Sequence, residues 1–525
     1  MMKNYWGKLL GLGLGVGLLI SVHAGAQTYS LGTSNLVEGP TAGSDSVVLG
    51  ATNSWTATTN ANWLHLSAAN QSGTVSTNVI FTFDANSGTT RTGTLTIAGQ
   101  TVTITQAGST YVAVTNTTSL VSSGLSSPRG LAVDGAGNVY IADYTNNAIK
   151  MWTATNNTVT TLVSSNSITP LNHPSGVAVD GLGNVYIADT GNNAIKKWTA
   201  ADSNVTTLAS TQPRGVAVDG AGNVYFSDLS TLWIKKWTAA NSNISTLVYG
   251  GGSPYGVAVD SAGNVYHSDL SVNKVSKWTL ANRIDTTLVS VGLLSPQGVA
   301  VDGGGNVYIA NNQSGFVQKL TVVNGTVTTL ASFGFGLNGA GGVAVDGAAN
   351  VYMTDRSNNS VKALPHAFVD STTKVEGALA GSDTLPVVVP TTANLSGPFM
   401  PTSDSPWLTI SGVTNGVVSY AFTANYTNNR TAKITLLGLK IAVTQPAVLP
   451  PVLNNCAIQS NGSLRFSFTN NQGATFTVWT ATNMMLPFTN WTPLCTLTNN
   501  GSGQYDFNDL PGTDSSQRFY RVTAP

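Results

Sequence analysis

The chain has 525 residues, enough for several domains, and its 23 Lys and Arg balance its 23 Asp and Glu, so the formal net charge is zero. Only 9% of the residues are charged and no basic stripe is present, which disfavours nucleic acid and anionic lipid as partners. Glutamate occurs only at Glu38 and Glu376, so almost every carboxylate that could serve a site is an aspartate.

The N-terminal segment has the three parts of a secretory signal peptide, predicted to be residues 1–26. Lys3 and Lys8 precede the apolar run Leu9–Val22, and the small-residue pattern AGA follows at residues 24–26. A run of about 14 apolar residues is too short to span a bilayer, so we expect cleavage after Ala26. No later stretch is long and apolar enough to span. The mature chain is therefore expected to be exported, as a secreted, periplasmic or cell-surface protein without a membrane span, in a compartment that permits disulfides.

Residues 27–108 alternate apolar and polar residues, which predicts a small β-sandwich, and their signature words return in residues 366–448. The words VEG, WL and TQ stand at 37–39, 63–64 and 105–106, and again at 375–377, 407–408 and 444–445. The order Trp-Leu, Ala-Asn, Arg, Thr-Gln resembles the BACON domain family, which is often attached to secreted carbohydrate-active bacterial proteins. Trp63 and Trp407 are candidates for stacking on sugars, but a Trp followed by Leu inside a strand favours the core.

Between these segments one pattern, of the form GVAVDGxGNVYIAD, occurs six times. Its first aspartates lie 39 to 46 residues apart, at Asp134, Asp180, Asp219, Asp260, Asp302 and Asp346. Each copy predicts four short strands, because its Asp-Gly pairs suit tight hairpins and a 3.6-residue period is absent. Four such strands cannot bury both faces alone, but six copies arranged around an axis can. Residues 109–365 are therefore predicted to form a six-bladed β-propeller.

The repeat resembles the NHL repeat family over about residues 111–364, through the pattern P-x-G-V-A-V-D, G-N-V-Y-I-A-D and N-N-A-I. The family often has Arg before the Ile of the third strand, whereas Ala148 and Ala194 stand there, which argues against an Asp–Arg pair inside the blade. The sixth copy lacks an outer strand, and the matching text TTSLVS precedes the first copy at residues 117–122. We expect this segment to pair with residues 361–364 and close the ring, which removes two open edges.

A stiff Pro-rich linker at residues 446–453 leads into a further predicted β-sandwich module, whose range of 449–525 includes the end of the linker. This module resembles small C-terminal modules of secreted bacterial proteins. It holds the only two cysteines, Cys456 and Cys495, which are either free thiols or a disulfide, and export favours the disulfide. The sequence as a whole thus predicts an all-β chain, a six-bladed NHL-type β-propeller flanked by small β-sandwich domains, two of them BACON-like.

The NHL resemblance also implies a catalytic alternative, because some NHL-like propellers are lyases. Peptide-amidating lyases hold zinc with several histidines, and streptogramin lyases use a His–Glu arrangement. The predicted propeller has only His173 and His267, in dissimilar positions, and no glutamate, whereas catalytic zinc needs three protein ligands and an open position. We therefore predict no metal or cofactor site, and enzyme activity is disfavoured, with an NHL-type lyase as the alternative function.

The favoured function is a non-catalytic binding protein, expected to be a monomer, whose propeller binds a glycan or protein ligand through one face. A structural spacer with equally bland faces is a third possibility. Strands one and two of a blade are antiparallel, so the residue before the first glycine of each copy lies near the central opening of one face. Five of these residues are the predicted ligand-binding set: Arg129, Ser175, Arg214, Tyr255 and Gln297. These residues differ from copy to copy either because they form a binding site or because nothing constrains them at the surface. Their side chains suit a carboxylate, a polar peptide or a sugar as ligand.

Overall fold

The computed structural model describes residues 29–249, 252–333, 339–448, 451–470, 474–498, 503–509 and 517–524. The predicted signal peptide, and residues 449–450 of the predicted linker, lie outside the described residues. Within these ranges the regular structure is β, apart from the 3-10 helices Ala68–Asn70, Thr190–Asn192, Gly397–Phe399 and Phe488–Asn490, so the predicted all-β class is confirmed. No helix in the described ranges is long and apolar enough to cross a membrane.

The six copies form six four-stranded antiparallel sheets, called blades 1 to 6, each with an inner, second, third and outer strand. The inner strands are Pro128–Val133, Pro174–Val179, Pro213–Val218, Pro254–Val259, Pro296–Val301 and Ala340–Val345. The second strands are Val139–Asp143, Val185–Asp189, Val224–Asp228, Val265–Asp269, Val307–Asn311 and Val351–Asp355. The third strands are Ala148–Thr153, Ala194–Trp198, Trp233–Trp237, Lys274–Thr279, Phe316–Thr321 and Ser360–Leu364. The outer strands are Thr158–Val163, Val205–Ser210, Ile244–Val248, Ile284–Val289 and Thr326–Ser332 in blades 1 to 5 and Thr118–Val121 in blade 6.

A self-supporting turn joins the inner strand of each blade to its second strand. In blade 1 the Asp134 carboxylate accepts bonds from the backbone N–H of Ala136 and Asn138, both at 2.9 Å, and from the Tyr140 hydroxyl at 3.2 Å. The turn also needs a positive φ, +80° at Gly137, which glycine adopts without steric cost. These six turns lie on one side of the ring, called the turn face. The side on which the inner strands begin is called the open face.

Glycines of neighbouring inner strands close the centre of the ring. A Cβ built on Gly298 of blade 5 would lie 2.8 Å from Gly342 Cα of blade 6, and one on Gly342 would lie 3.1 Å from Gly130 Cα of blade 1. The last blade therefore packs against the first, as six blades in a closed ring require. The predicted strand exchange is also confirmed, because Thr118–Val121 pairs with Ser360–Leu364 as the outer strand of blade 6.

Two β-sandwiches of the same design flank the propeller. One sheet of the N-terminal sandwich consists, in spatial order, of the strands Tyr29–Leu31, Gly43–Ala51, Thr77–Phe83 and Leu64–His65. The other sheet consists of Asn35–Glu38, Gln100–Gln106, Arg91–Ile97, Trp55–Thr59 and Ser72–Gly73. One sheet of the second sandwich consists of the strands Lys374–Val375, Leu439–Gln445, Arg430–Leu436 and Thr402–Ser403. The other sheet consists of Gly381–Thr384, Val417–Phe422 and Leu408–Thr414. The short ribbon between them and the propeller pairs Tyr111–Ala113 with Phe368–Asp370.

The repeated words of the two sandwiches form the same internal contacts. Arg91 Nε donates to Gln106 Oε1 at 2.9 Å and its guanidinium lies 4.4 Å from the ring centre of Trp63. In the second sandwich the equivalent distances, from Arg430, are 2.8 Å to Gln445 and 4.2 Å to the Trp407 ring. Trp63 is only 7% exposed, so the core role favoured for it is confirmed.

The C-terminal module is a third sandwich, and it corrects the predicted disulfide. One of its sheets consists of the strands Asn454–Ile458, Leu464–Thr469 and Gln504–Asp509, and the other of Thr492–Thr498, Thr475–Ala481 and Phe519–Thr523. Cys456 and Cys495 are both free thiols. The prediction was wrong because Cys456 is exposed on its strand, whereas Cys495 packs beside the core of the module.

The N-terminal sandwich docks on the turn face at blades 4 and 5. The backbone N–H of Val48 donates to the Gly303 carbonyl at 2.9 Å, and the Ser30 hydroxyl donates to the Ser261 carbonyl at 2.8 Å. This contact explains the GGGN turn of the fifth copy, because a Cβ built on Gly304 would lie 2.9 Å from the Ser46 carbonyl oxygen.

A small cluster of charged residues lies within this docking interface. Burial and the neighbouring Asp45 carboxylate raise the pKa of Glu38 well above its ordinary 4.5. Burial and Asp302 raise the pKa of Asp45 as well, while Lys319 opposes both shifts. The interface thus favours a protonated carboxyl group.

Candidate ligand-binding site on the open face

A β-bulge at the start of each inner strand positions the predicted site. In blade 1, Pro128 pairs with Asp143 and Leu131 with Ile141, so the inner strand has one residue more than its partner between these pairs. The same irregularity occurs in all six blades. Because a bulge leaves one residue unpaired and re-aims its side chain, the residue before the glycine is released from the regular sheet pattern. Arg129 holds that position in blade 1.

Two predicted arginines stack on tyrosines around the opening. The Cζ atom of Arg129 lies 3.4 Å from the ring centre of Tyr144, and that of Arg214 lies 5.3 Å from the ring centre of Tyr255. Such cation–π contacts hold the guanidinium planes while their edges stay available as donors. Tyr144 follows the second strand of blade 1 and was not among the predicted residues.

A third arginine, Arg356, joins them and was missed by sequence reasoning. It follows the second strand of blade 6, and a Cβ built on Gly341 would lie 2.7 Å from its Cδ. The glycine before the blade 6 repeat glycine therefore leaves the space that Arg356 occupies. Burial, followed by the positive charges of Arg129 and Arg214, lowers the pKa of Arg356, so both of these guanidinium groups lie within electrostatic reach of Arg356.

The signal for Arg356 was a second variable position in the repeat. The residue after the second strand also reaches the open face, and it differs among the copies: Tyr144, Thr190, Leu229, Leu270, Asn312 and Arg356. Reading that position beside the one before the glycine would have found the third arginine.

Five polar atoms of the site have no hydrogen-bond partner among the described residues: Nε of Arg129, Arg214 and Arg356, the hydroxyl of Tyr255 and Oε1 of Gln297. Tyr255 is 6% exposed and Gln297 is 9% exposed. Buried polar groups are normally bonded, and leaving one unbonded costs about 1–3 kcal/mol. The cluster therefore has capacity for a polar ligand that the fold itself does not use.

Ser175, the remaining predicted residue, is occupied by a bond between blades. Its hydroxyl donates to the Arg214 carbonyl at 2.8 Å. In blade 3 the same bond to the next blade is made by Ser227, which donates to the Tyr255 carbonyl at 2.7 Å. Blade 2 has Ala188 at the position of Ser227, so Ser175 supplies the missing hydroxyl. Its contribution is to the ring rather than to the unbonded set.

Four of the five second-strand aspartates near the site are already ion-paired, and the fifth, Asp269, accepts hydrogen bonds from Ser253 and Ser271. Four second-strand aspartates pair with third-strand lysines: Asp143–Lys150, Asp189–Lys196, Asp228–Lys235 and Asp355–Lys362, at 2.9, 2.7, 2.6 and 2.9 Å. These third-strand lysines form the ion pairs for which the NHL family often has an arginine before the Ile of that strand. Within the described ranges, no ion pair involves Arg129, Arg214 or Arg356.

The site is a shallow well rather than a channel. The glycine ring narrows the axis to a cavity of about 50 Å³, lined by Arg214 and Tyr255 on the open face and by residues such as Val216 and Val257 below. A charged group entering from the open face therefore meets the arginines first and an apolar, backbone-lined constriction next.

The two propeller histidines do not form a catalytic set. His173 lies beside Tyr144, with ring centres 4.7 Å apart, at the outer part of the open face. His267 is 4% exposed within blade 4, where its Nε2 lies 2.9 Å from Asp285 Oδ1. No group of three or more His, Cys, Asp or Glu residues able to hold a metal occurs in the part of the chain that the structure describes.

The fold and this site define a six-bladed β-propeller with an arginine-bearing open face, joined to β-sandwich modules. Residues 53–107 match the BACON family, described as "Putative binding domain, N-terminal", and residues 125–150 and 171–198 match the NHL repeat. The chain thus carries a BACON domain and NHL repeats, as the sequence predicted. No curated protein matches it.

Several solved structures are similar in outline. A chain of a nidogen–laminin complex is 22% identical, with a TM-score of 0.35, over 38% of this chain and 79% of its own. A gluconolactonase from Xanthomonas campestris is 17% identical, with a TM-score of 0.41, over 47% and 89%. Virginiamycin B lyase from Staphylococcus aureus is 12% identical, with a TM-score of 0.36, over 63% and 98%. At these values no ligand or activity is transferred from them.

Proposed function

We propose that this chain is an exported, non-catalytic binding protein whose propeller binds a glycan or protein ligand through the open face. Arg129, Arg214, Tyr255 and Gln297 are the predicted contacts. The observation that carries the proposal is the set of unbonded polar atoms around the central opening, which the fold leaves without partners. The N-terminal signal pattern supports export.

The position of the flanking modules supports the same face. The N-terminal sandwich covers turns of blades 4 and 5, through Gly303 and Ser261. The second sandwich approaches the outer edge, where Asn116 Nδ2 donates to the Gly438 carbonyl at 3.2 Å. These contacts lie away from the arginine cluster, so the modules can hold the propeller while the open face meets a ligand.

Binding is favoured over catalysis because the opening offers donors and ring surfaces without a free base. Four of the five second-strand aspartates are held by lysines, and the fifth, Asp269, accepts hydrogen bonds from Ser253 and Ser271. The His267 imidazole is held by Asp285. General acid–base catalysis needs a proton acceptor within hydrogen-bond reach of a bound substrate.

The test is a glycan array and a pull-down with the wild type and with the triple variant Arg129→Ala, Arg214→Ala, Tyr255→Ala. We expect the triple variant to bind at least tenfold more weakly, which is about 1.4 kcal/mol. Arg283→Ala is the control, because Arg283 is exposed on the turn face. Unchanged affinity in a folded triple variant would place the site elsewhere.

A further inference from the structure

We infer that the open face recognises the carboxylate of a uronic acid within a glycan, held by Arg129, Arg214 and Arg356. This inference rests on the proposed function of the open face and narrows it to one ligand class. It also makes Arg356 a contact residue of that site.

The charge of the cluster favours an anion. Arg129, Arg214 and Arg356 have no ion-pair partner among the described residues, and each has an unbonded Nε. Burial lowers the pKa of Arg356, and the positive charges of Arg129 and Arg214 lower it further. A carboxylate between them would accept forked bonds from guanidinium edges and offset the repulsion, an arrangement that arginine geometry suits well.

The well narrows directly below the arginines. The glycine ring and the valines beneath it end the opening with a cavity of about 50 Å³. A ligand that carries many closely spaced phosphates would instead need an extended basic track to neutralise them. The arginine cluster is local, so it fits a single carboxylate presented by a larger neutral or sparsely charged molecule.

The site also asks for a donor next to the anion. Gln297 Oε1 is an acceptor without a partner, and a carboxylate cannot donate to it. A sugar hydroxyl can donate to Gln297 Oε1 and can accept from the Tyr255 hydroxyl. A uronic acid brings both groups on one ring, whereas an acidic peptide residue brings its carboxylate on the side chain and its donor on the backbone.

The loops around the well suit a carbohydrate. The segments that follow the six second strands read YTNN, TGNN, LSTL, LSVN, NQSG and RSNN, and Arg356 is their only charged residue. Hydroxyl and amide side chains of this kind exchange hydrogen bonds with sugar hydroxyls. Trp233 and the 74% exposed Tyr249 add an aromatic pair, with ring centres 5.1 Å apart, at the open-face edge of blade 3.

The experiment is calorimetric titration of the full chain with short oligomers of galacturonate, glucuronate and mannuronate. The matched probes are the neutral galactose, glucose and mannose oligomers and a short polyglutamate peptide. We expect at least one oligouronate to bind at least tenfold more tightly than its neutral counterpart and the peptide. Arg356→Gln should weaken that binding at least tenfold, and Arg283→Gln on the turn face should leave it unchanged.

Other outcomes overturn the inference in distinguishable ways. Equal binding of neutral and acidic oligomers, with Arg356→Gln unaffected, removes the carboxylate, while the triple variant still tests the open face. Tighter binding of polyglutamate removes the glycan. Absence of oligouronate binding at millimolar concentrations removes the uronic acid, and a ligand found by the array or pull-down would still test the proposed function.

Discussion

Replacing Gly298 with alanine should destabilise the propeller more than any single exposed substitution, because its inner strand packs directly against the next blade. A Cβ at this position would lie 2.8 Å from both Gly342 Cα and Val343 N, and 3.1 Å from the Gly342 carbonyl carbon. All three are backbone atoms, so no side chain can move aside. Blades 5 and 6 must separate by several tenths of an ångström, and the closed ring passes that displacement to the other four.

Overpacking of this kind costs about 1–3 kcal/mol, and a backbone clash in a closed ring belongs at the upper end. For a propeller of this size, about 3 kcal/mol lowers the Tm by roughly 6–12 °C. The control is Gly347→Ala in the turn of blade 6, where a Cβ would have no neighbour within 4 Å. We expect that variant to stay within about 1 kcal/mol of the wild type. If Gly298→Ala melted within about 2 °C of the control in scanning calorimetry, the tight glycine ring would be refuted.

Three further predictions concern the turns, the docking interface and the ring closure. Ala349 in blade 6 has a φ of +63° at the turn position that Gly137 occupies in blade 1. In urea titrations, Ala349→Gly should therefore raise the free energy of unfolding by about 0.5–1 kcal/mol, and Gly137→Ala should lower it. Because the pKa of Glu38 is raised, the folded chain still holds a proton at a pH where the unfolded chain has lost it. The free energy of unfolding should therefore fall as the pH rises above the ordinary pKa of 4.5, and Glu38→Gln should make this pH dependence weaker. A slope unchanged by Glu38→Gln would show that other groups control it. Val121, 4% exposed in the closing strand, should tolerate Asp poorly, at about 3 kcal/mol or more, whereas the exposed Ser119→Asp should be nearly neutral by calorimetry.

Repetition made the propeller predictable from sequence, because each copy states the same strand lengths and turn chemistry. Asp134 and its five counterparts mark the turn face, and the missing outer strand of the sixth copy directly predicts the exchange at Thr118–Val121. The disulfide prediction failed because spacing along the chain does not say which way each thiol points. Cys456 is exposed, whereas Cys495 packs beside the core of the C-terminal module, and that difference depends on tertiary packing.

The site was only partly predictable, since side chains from two different positions of the repeat reach the same central opening. Ser175 occupies a predicted contact position but replaces the hydroxyl that Ala188 lacks, so it serves the ring. Arg356 occupies a different repeat position but fills the space above Gly341. Position in the pattern thus fixes where a Cα lies, whereas the compensating substitutions between neighbouring blades decide which side chain reaches the axis.

This compensation bears on how the open face acquires its specificity. Each blade contributes two adjustable positions to the same small opening, one before the inner glycine and one after the second strand, while the bulge and the turns that hold them stay the same. Changing either position alters the chemistry of the opening without altering the blade. The three arginines come from both positions, from Arg129 and Arg214 in one and Arg356 in the other. A propeller with neutral residues there would keep its stability and lose the proposed anion site. Charge-removing substitutions at these three positions, rather than substitutions in the sheets, therefore test the proposal.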